Sequence, residues 1–325
     1  MEVAAARNAS EYKTMMMVNA FSPPPPIFGN ELAKKFLAES IVIPALLPGV
    51  QTWKGVLLFG PSGVGKSSLV RSVVCDINTK YKERLRVNLF ECRGSGIVDK
   101  YRGESEKILR GLFEAARETA GGGGAGCSAP STSQTTSLVF IDEVDSIFCG
   151  GKGDEAEHRL RVELLKHIDG IESGGRKGSS TRVVVVGATN MPWDLGEALL
   201  RRFEKRCYVG LPVEQDRRRM LAHHLGDVAV EKNVALDDIV LQTEGMSGAD
   251  IKVLCREAAM GPLRRLLSAF SPSDLSKAHS QAITKDSLGN VTEADFYRAL
   301  LATKRTTRRA DCQKLKEFDD EFGSR

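Results

Sequence analysis

Gly60-Pro61-Ser62-Gly63-Val64-Gly65-Lys66-Ser67 fits the pattern G-x-x-x-x-G-K-[ST] and follows the apolar run Val56-Leu57-Leu58-Phe59. The run reads as a buried strand, and Ser68-Leu69-Val70-Arg71-Ser72-Val73-Val74 after it reads as a helix. A strand, a glycine-rich turn and a helix in that order form a cradle for a triphosphate. Glycines let the backbone wrap closely enough to present several N–H groups to phosphate oxygens at once. Lys66 then reaches the outer phosphates as a point charge. The Ser67 hydroxyl, followed by Ser68 at the start of the helix, ligates Mg²⁺, and the positive end of the helix faces the phosphates.

A phosphate loop needs a second strand that delivers carboxylates, and Leu138-Val139-Phe140-Ile141-Asp142-Glu143 supplies one. Asp142 is expected to hold the metal through its water shell and Glu143 to polarise the water that attacks the γ-phosphorus. A third apolar run, Val183-Val184-Val185-Val186-Gly187-Ala188-Thr189-Asn190, brings Asn190 to the carboxyl end of a strand, where ligands gather in open α/β sheets. An amide there can orient the lytic water. After a short helix comes Arg201-Arg202-Phe203-Glu204-Lys205-Arg206, and an arginine set opposite another subunit's γ-phosphate stabilises transition-state charge.

Between these motifs strands and helices alternate. Strands are expected at 56–59, 87–92, 138–141, 183–187 and 207–211. A helix is expected at 104–118, where Ile108, Leu109, Leu112, Phe113 and Ala116 recur at helical spacing. The fold class is therefore α/β: a mostly parallel sheet with helices on both faces, followed by a small helical domain. The expected organisation is a flexible, proline-ended arm over residues 1–26, a large domain over 27–211 and a helical domain with a C-terminal helix over 212–325. Within the large domain, Gly121-Gly122-Gly123-Gly124 opens a Gly/Ser/Thr-rich tract through Ser137 that reads as a surface insertion.

These residues resemble the AAA ATPases, in the branch containing katanin, spastin, fidgetin and the vacuolar-sorting ATPase that dismantles ESCRT-III filaments. Lys100-Tyr101-Arg102-Gly103-Glu104-Ser105-Glu106-Lys107, Phe140-Ile141-Asp142-Glu143-Val144-Asp145-Ser146, Gly187-Ala188-Thr189-Asn190 and Gly245-Met246-Ser247-Gly248-Ala249-Asp250 carry the likeness. The resemblance implies a P-loop ATPase using ATP and Mg²⁺, assembled as a homo-hexameric ring. It implies that Arg201 and Arg202 reach the neighbour's nucleotide, and that the Gly248-Ala249 turn packs near the adenine side. It also implies that Lys100-Tyr101-Arg102 line a central pore through which polypeptide is pulled. Tyrosine suits that role because it offers apolar contact area at little entropy cost. A second pore-facing loop is expected near 154–159, with His158 in place of an arginine of the branch pattern.

Substrate choice divides the branch. Gly60-Pro61 followed by Lys66-Ser67, Arg202-Phe203-Glu204-Lys205-Arg206 and His224-Leu225-Gly226-Asp227 favour the vacuolar-sorting type. Lys100-Tyr101-Arg102-Gly103, Ser271-Pro272-Ser273-Asp274-Leu275 and Glu321-Phe322-Gly323-Ser324 favour katanin. The expectation places an ESCRT-III-like filament slightly ahead of microtubules, with a nucleotide-switched scaffold of little turnover as a third reading. The N-terminal helical targeting module of both relatives is not found here, so an adaptor is expected to supply targeting.

Composition restricts the partners further. A net charge of +4 from 46 basic and 42 acidic residues disfavours nucleic acid, as does Tyr101 at the pore position. Cys75, Cys92, Cys127, Cys149, Cys207, Cys255 and Cys312 contain no C-x-x-C pair, so neither a disulfide framework nor zinc is expected. His223-His224 reads as a solvated helix face. No apolar run approaches the ~20 residues of a membrane span. The protein is expected to be cytoplasmic, recruited to the endosomal membrane or the microtubule cytoskeleton.

Overall fold

Valine-rich runs flanked by helices can be buried on both faces only in a parallel sheet covered above and below, and the computed structural model has this arrangement. It describes residues 17–18, 26–47, 50, 52–100, 105–120, 134–148, 155–171, 182–226, 228–269 and 289–325. Strands β1 (Met17–Val18), β2 (Gly55–Phe59), β3 (Leu85–Arg93), β4 (Gln134–Asp142), β5 (Arg182–Thr189) and β6 (Lys205–Tyr208) form one sheet in the order β1-β3-β4-β5-β2-β6. All pairs are parallel except β1 against β3. Helices α1 (Glu31–Leu46), α2 (Lys66–Lys80), α3 (Gly94–Lys100), α4 (Ser105–Ala120), α5 (Glu155–Asp169) and α6 (Glu197–Leu200) connect and cover these strands. The apolar stripe of α4 does enter the core, where Leu109, Leu112 and Phe113 meet Leu57, Val139, Val185 and Phe203.

The chain divides into two compact units. One takes the described residues up to Gly60, then Lys66–Val209 and Cys312–Arg325; the other takes Pro61–Gly65 and Gly210–Asp311. The second unit contains α7 (Glu214–Leu225), α8 (Leu236–Gln242), α9 (Gly248–Ala269) and α10 (Glu293–Ala302), around Leu221, Ile239, Ile251, Leu254 and Phe296. Thr292 and Asp295 form a reciprocal capping box at the start of α10.

Four boundaries differ from the sequence expectation. Within the expected arm, Met17 and Val18 pair with Phe90 and Leu89 at the sheet edge. The insertion is shorter than expected. Gln134–Ser137 belong to β4, pairing with Leu85–Asn88, and Thr136 and Ser137 are fully buried; ladder pairing outweighs a loop-like composition. Residues 121–133 lie outside the described residues. β6 begins at Lys205, which pairs with Val56 of β2, and the lysine ammonium lies over the rings of Phe36 and Trp53, 4.7 and 4.6 Å from their centroids. The helical domain does not run to the end of the chain. From Cys312 onward, α11 (Arg309–Phe322) groups with the sheet unit, burying Leu315 and Phe318 beside Phe59, with Trp193 and Tyr208 packed against them.

Phe203 fixes the end of the sheet that matters for the site. Its ring is fully buried over Gly187, where a Cβ would lie 2.7 Å from Cζ. Gly187→Ala is therefore expected to cost about 1–3 kcal/mol through overpacking. Gly289→Ala, which meets nothing within 4 Å, should shift stability by less than about 0.5 kcal/mol. Urea unfolding of both variants checks the difference.

Candidate functional site

The parallel register brings the carboxyl ends of β2, β4 and β5 side by side, with Phe59 opposite Thr189 and Ile141 opposite Gly187. Gly60, Asp142 and Asn190 stand at or directly after these strand ends. Lys66, the first residue of α2, is 8% exposed and donates from Nζ to the Gly60 carbonyl at 2.8 Å and to Asn190 Oδ1 at 2.6 Å. Burial lowers its pKa from 10.5 to about 8, while Asp142 and Asp145 pull it back up.

The loop geometry requires its glycines. Gly63 and Gly65 have φ of 77° and 92°, in the left-handed region, and a Cβ on Gly60 would lie 2.0 Å from the Val209 carbonyl oxygen. Pro61 and Val64 are buried, Ser62 is exposed, and Ser67 and Ser68 are half-buried. Within the helical unit, the Ala249 N–H donates to the Gly63 carbonyl at 3.1 Å, and a Cβ on Gly63 would meet Ser247 Oγ at 2.8 Å. The first turn of α9, with Gly248 and Ala249, thus packs on Gly63.

Ser67 Oγ donates to Asp142 Oδ2 at 2.5 Å, and Asp142 Oδ1 accepts the Glu143 N–H at 3.0 Å. This pair of hard oxygen donors at the start of α2 fits Mg²⁺. Glu143 has φ 53°, an unusual conformation for a residue with a side chain. Its carbonyl accepts from Ser146 Oγ at 2.7 Å, and its Oε2 accepts from Ser95 Oγ at 2.7 Å. A Cβ at Gly94 would lie 2.4 Å from that carbonyl oxygen, so the start of α3 presses directly on the glutamate turn. Buried Asp145 accepts from Thr189 Oγ1 at 2.5 Å, and Thr189 Oγ1 accepts the Met191 N–H at 2.9 Å, which fixes the backbone on either side of Asn190.

Ser95, Asp145 and Thr189 are not among the site residues that the sequence indicates. Asp145 and Thr189 lie inside quoted motifs, whereas Ser95 has no local signal, being 48 residues from its partner. The structure joins Lys66, Ser67, Asp142, Glu143 and Asn190. It does not bring Arg201 or Arg202 into that cluster. Arg201, 77% exposed, pairs with Glu197 at 3.2 Å, and Arg202 grips Asp169 through two bonds of 2.9 and 2.6 Å. Tyr101 and Arg102 and the Lys100 side chain lie outside the described residues. The expected second loop near 154–159 is, from Glu155, the first turn of α5, with His158 and Arg159 exposed on it.

Because folded Lys66 releases its proton near pH 8 and the unfolded lysine near 10.5, the unfolded chain binds more protons between these values, and stability rises with pH there. Below pH 8 the full burial cost is present. The unfolding free energy of wild type relative to Lys66→Met should therefore climb by about 3 kcal/mol between pH 8 and 10.5. Urea titrations of both proteins across that range measure it, and parallel pH curves would refute the assignment.

The family model for the ATPase family associated with various cellular activities (AAA) matches residues 56–211, and that for the AAA+ lid domain matches 233–277. The A-like 1 form of the katanin p60 ATPase-containing subunit from Danio rerio is 40% identical over 307 residues, covering 90% of this chain and 57% of that protein. The protein of the same name from Homo sapiens is 38% identical over 307 residues, covering 90% of this chain and 56% of its own. The chain thus spans little more than half the length of these curated relatives. Among solved structures, the FIGL-1 AAA domain superposes with a TM-score of 0.76 at 33% identity, covering 97% of this chain and 95% of that one. Its complex with ADP gives 0.75 at 30%, with both chains fully covered. A structure titled "Structural Basis for Katanin Self-Assembly" gives 0.72 at 28%, covering 98% and 99%. Both of these relatives are of katanin type, the type that the sequence expectation placed second. No described helix is long and apolar enough to cross a membrane. The chain belongs to the AAA ATPases, in the branch that holds katanin and fidgetin.

Proposed function

We propose that this chain hydrolyses ATP as one subunit of a homo-hexameric ring and remodels microtubules in the manner of katanin. The observation that carries the reading is the Lys66 ammonium held by the Gly60 carbonyl and Asn190, beside the Ser67–Asp142 pair. A buried cation that follows a loop of left-handed glycines is a site made for a polyanion. Lys66 takes the outer phosphate oxygens of ATP, and the backbone of residues 60–68 cradles the rest. Mg²⁺ held through Ser67 and Asp142 supplies charge neutralisation on those oxygens.

Glu143 accepts a proton from the attacking water, and Asn190 orients that water. With Ser95 holding its carboxylate in this structure, Glu143 must exchange that bond for the water before it acts. Arg201 and Arg202 serve the neighbouring subunit's nucleotide. Arg201, exposed and held among the described residues only by an i,i+4 pair, is the freer of the two. Gly248 and Ala249 support the loop at Gly63. Lys100, Tyr101 and Arg102 are assigned to the pore on sequence resemblance. The 40% identity to a katanin-type relative supports microtubules over an ESCRT-III filament, and the microtubule cytoskeleton over the endosomal membrane as the place of action. Glu143, Arg201 and Arg202, all present, argue against a scaffold without turnover.

Steady-state ATPase activity measured against protein concentration tests the reading. Turnover should rise more steeply than linearly, increase with stabilised microtubules but not with ESCRT-III filaments, and fall at least about 10²-fold in Glu143→Gln. Tyr101→Ala should abolish severing in a filament assay while ATP binding persists. Flat, negligible turnover at every concentration would refute the ring motor.

A further inference from the structure

Arg206 stands at the start of β6 yet makes no ion pair with a carboxylate among the described residues. Its guanidinium is spent on main-chain carbonyls: Nη2 donates to Leu200 at 2.8 Å, Nε to Phe203 at 3.1 Å and Nη1 to Phe322 at 3.4 Å. The first two acceptors bracket Arg201 and Arg202, so one rigid fork spans the two-residue turn that carries them. Burial lowers the guanidinium's pKa without removing its charge. A lysine has a single ammonium and no such fork.

The third acceptor lies at the end of α11. There the chain folds back beside β6, and the Arg206 N–H donates to Ser324 Oγ at 3.0 Å while the Ser324 N–H donates to the Arg206 carbonyl at 2.8 Å. The segment after α11 thereby covers the outer edge of β6. On its other side the turn is wedged by Phe203, whose ring fills the space left by Gly55 and Gly187. A Cβ at Gly55 would lie 2.6 Å from the Arg202 carbonyl oxygen. The turn is thus fixed through its backbone, while among the described residues its two arginine side chains hold only surface carboxylates and, for Arg202, the Ala198 carbonyl.

We infer that Arg206 is a positioning residue for the Arg201-Arg202 turn, and that docking of the Phe322–Ser324 segment on β6 is part of the same device. This inference rests on the reading in which those arginines act on the neighbouring subunit's nucleotide. Arg206 acts on the neighbour's centre and not on its own, which separates it from a residue needed for folding or for binding ATP in its own subunit.

The test is subunit mixing with the full chain. Arg206→Lys should lower kcat about 10²-fold, the scale for slight misplacement of a catalytic group, and leave the Kd for a fluorescent ATP analogue unchanged, with a cooperative unfolding transition kept at a somewhat lower midpoint because the Leu200, Phe203 and Phe322 carbonyls lose donors. Ser324→Pro, which removes both backbone-edge bonds, should move kcat in the same direction. Mixed with Glu143→Gln, which has a sound arginine turn and a dead centre, Arg206→Lys should regain activity well above the sum of the two alone. Arg201→Ala mixed with Glu143→Gln is the control for action between subunits. If that control regains activity and the Arg206→Lys mixture does not, the positioning role is overturned and the ring reading stands. If neither mixture regains activity, both fall. An Arg206→Lys enzyme with wild-type kcat also overturns the inference.

Discussion

A lysine ammonium removed from water costs several kcal/mol unless acceptors replace its hydration, and this requirement organises the nucleotide end of the sheet. Lys66 is 8% exposed, and two of its acceptors come from different strands: the Gly60 carbonyl follows β2 and Asn190 follows β5. Both lie within reach only because β2 and β5 are neighbours in parallel register, with Phe59 opposite Thr189. A slip of one residue would move one of these acceptors away from the charge. The strand order that places β2 between β5 and β6 is therefore tied to the chemistry of a single side chain. The same order sets Asp142, at the end of the next strand along, against Ser67. The cation is already in place, bonded to the Gly60 carbonyl and Asn190 with Asp142 and Asp145 acting on it, so an arriving triphosphate meets a preformed charge whose desolvation was met on folding.

Much of this was legible in the chain. Fully buried parallel strands read as unbroken apolar runs, and Val56–Phe59, Leu138–Ile141 and Val183–Gly187 all fall inside strands. The glycines at 63 and 65 announced a backbone that needs positive φ. What stayed hidden was set by partners far away in sequence. Ser95 gains its role only through Glu143, and Arg202 finds Asp169 at a separation of 33 residues. Gln134–Ser137 have the composition of a linker, yet β3 offers them a ladder and burial, and that context overrides local preference. Lys205 is too polar to announce the start of a strand, and only Phe36 and Trp53 supply the aromatic faces that hold its charge there.

The arginine turn presents a different balance. Arg202 and Asp169 make two good hydrogen bonds, but both groups reach solvent, at 29% and 52% exposure. Exposed pairs of this kind contribute about 0–1 kcal/mol. Arg201 and Glu197 are more exposed still. These ion pairs cannot be what holds the turn, and the burial of Phe203 under two glycines is far larger in scale, about 1.5–3 kcal/mol for an aromatic ring taken from water. The backbone is rigid while the charged tips are weakly held, a combination suited to side chains that must exchange one anion for another without rebuilding the turn.

Glu143 carries the opposite signature. A non-glycine residue at φ 53° costs on the order of 1–3 kcal/mol, and glycine would remove that cost at once. The surroundings instead sustain the strained geometry. Ser146 donates to its carbonyl, Asp142 accepts its N–H, Ser95 holds its carboxylate, and Gly94 gives up a side chain so that α3 can close on the turn. Among the described residues the carboxylate makes no ion pair, and the Ser95 hydroxyl is the donor that holds it, tying α3 to the turn. The strained turn thus sets the Glu143 carboxylate at the carboxyl end of β4, directly after Asp142, the partner of Ser67.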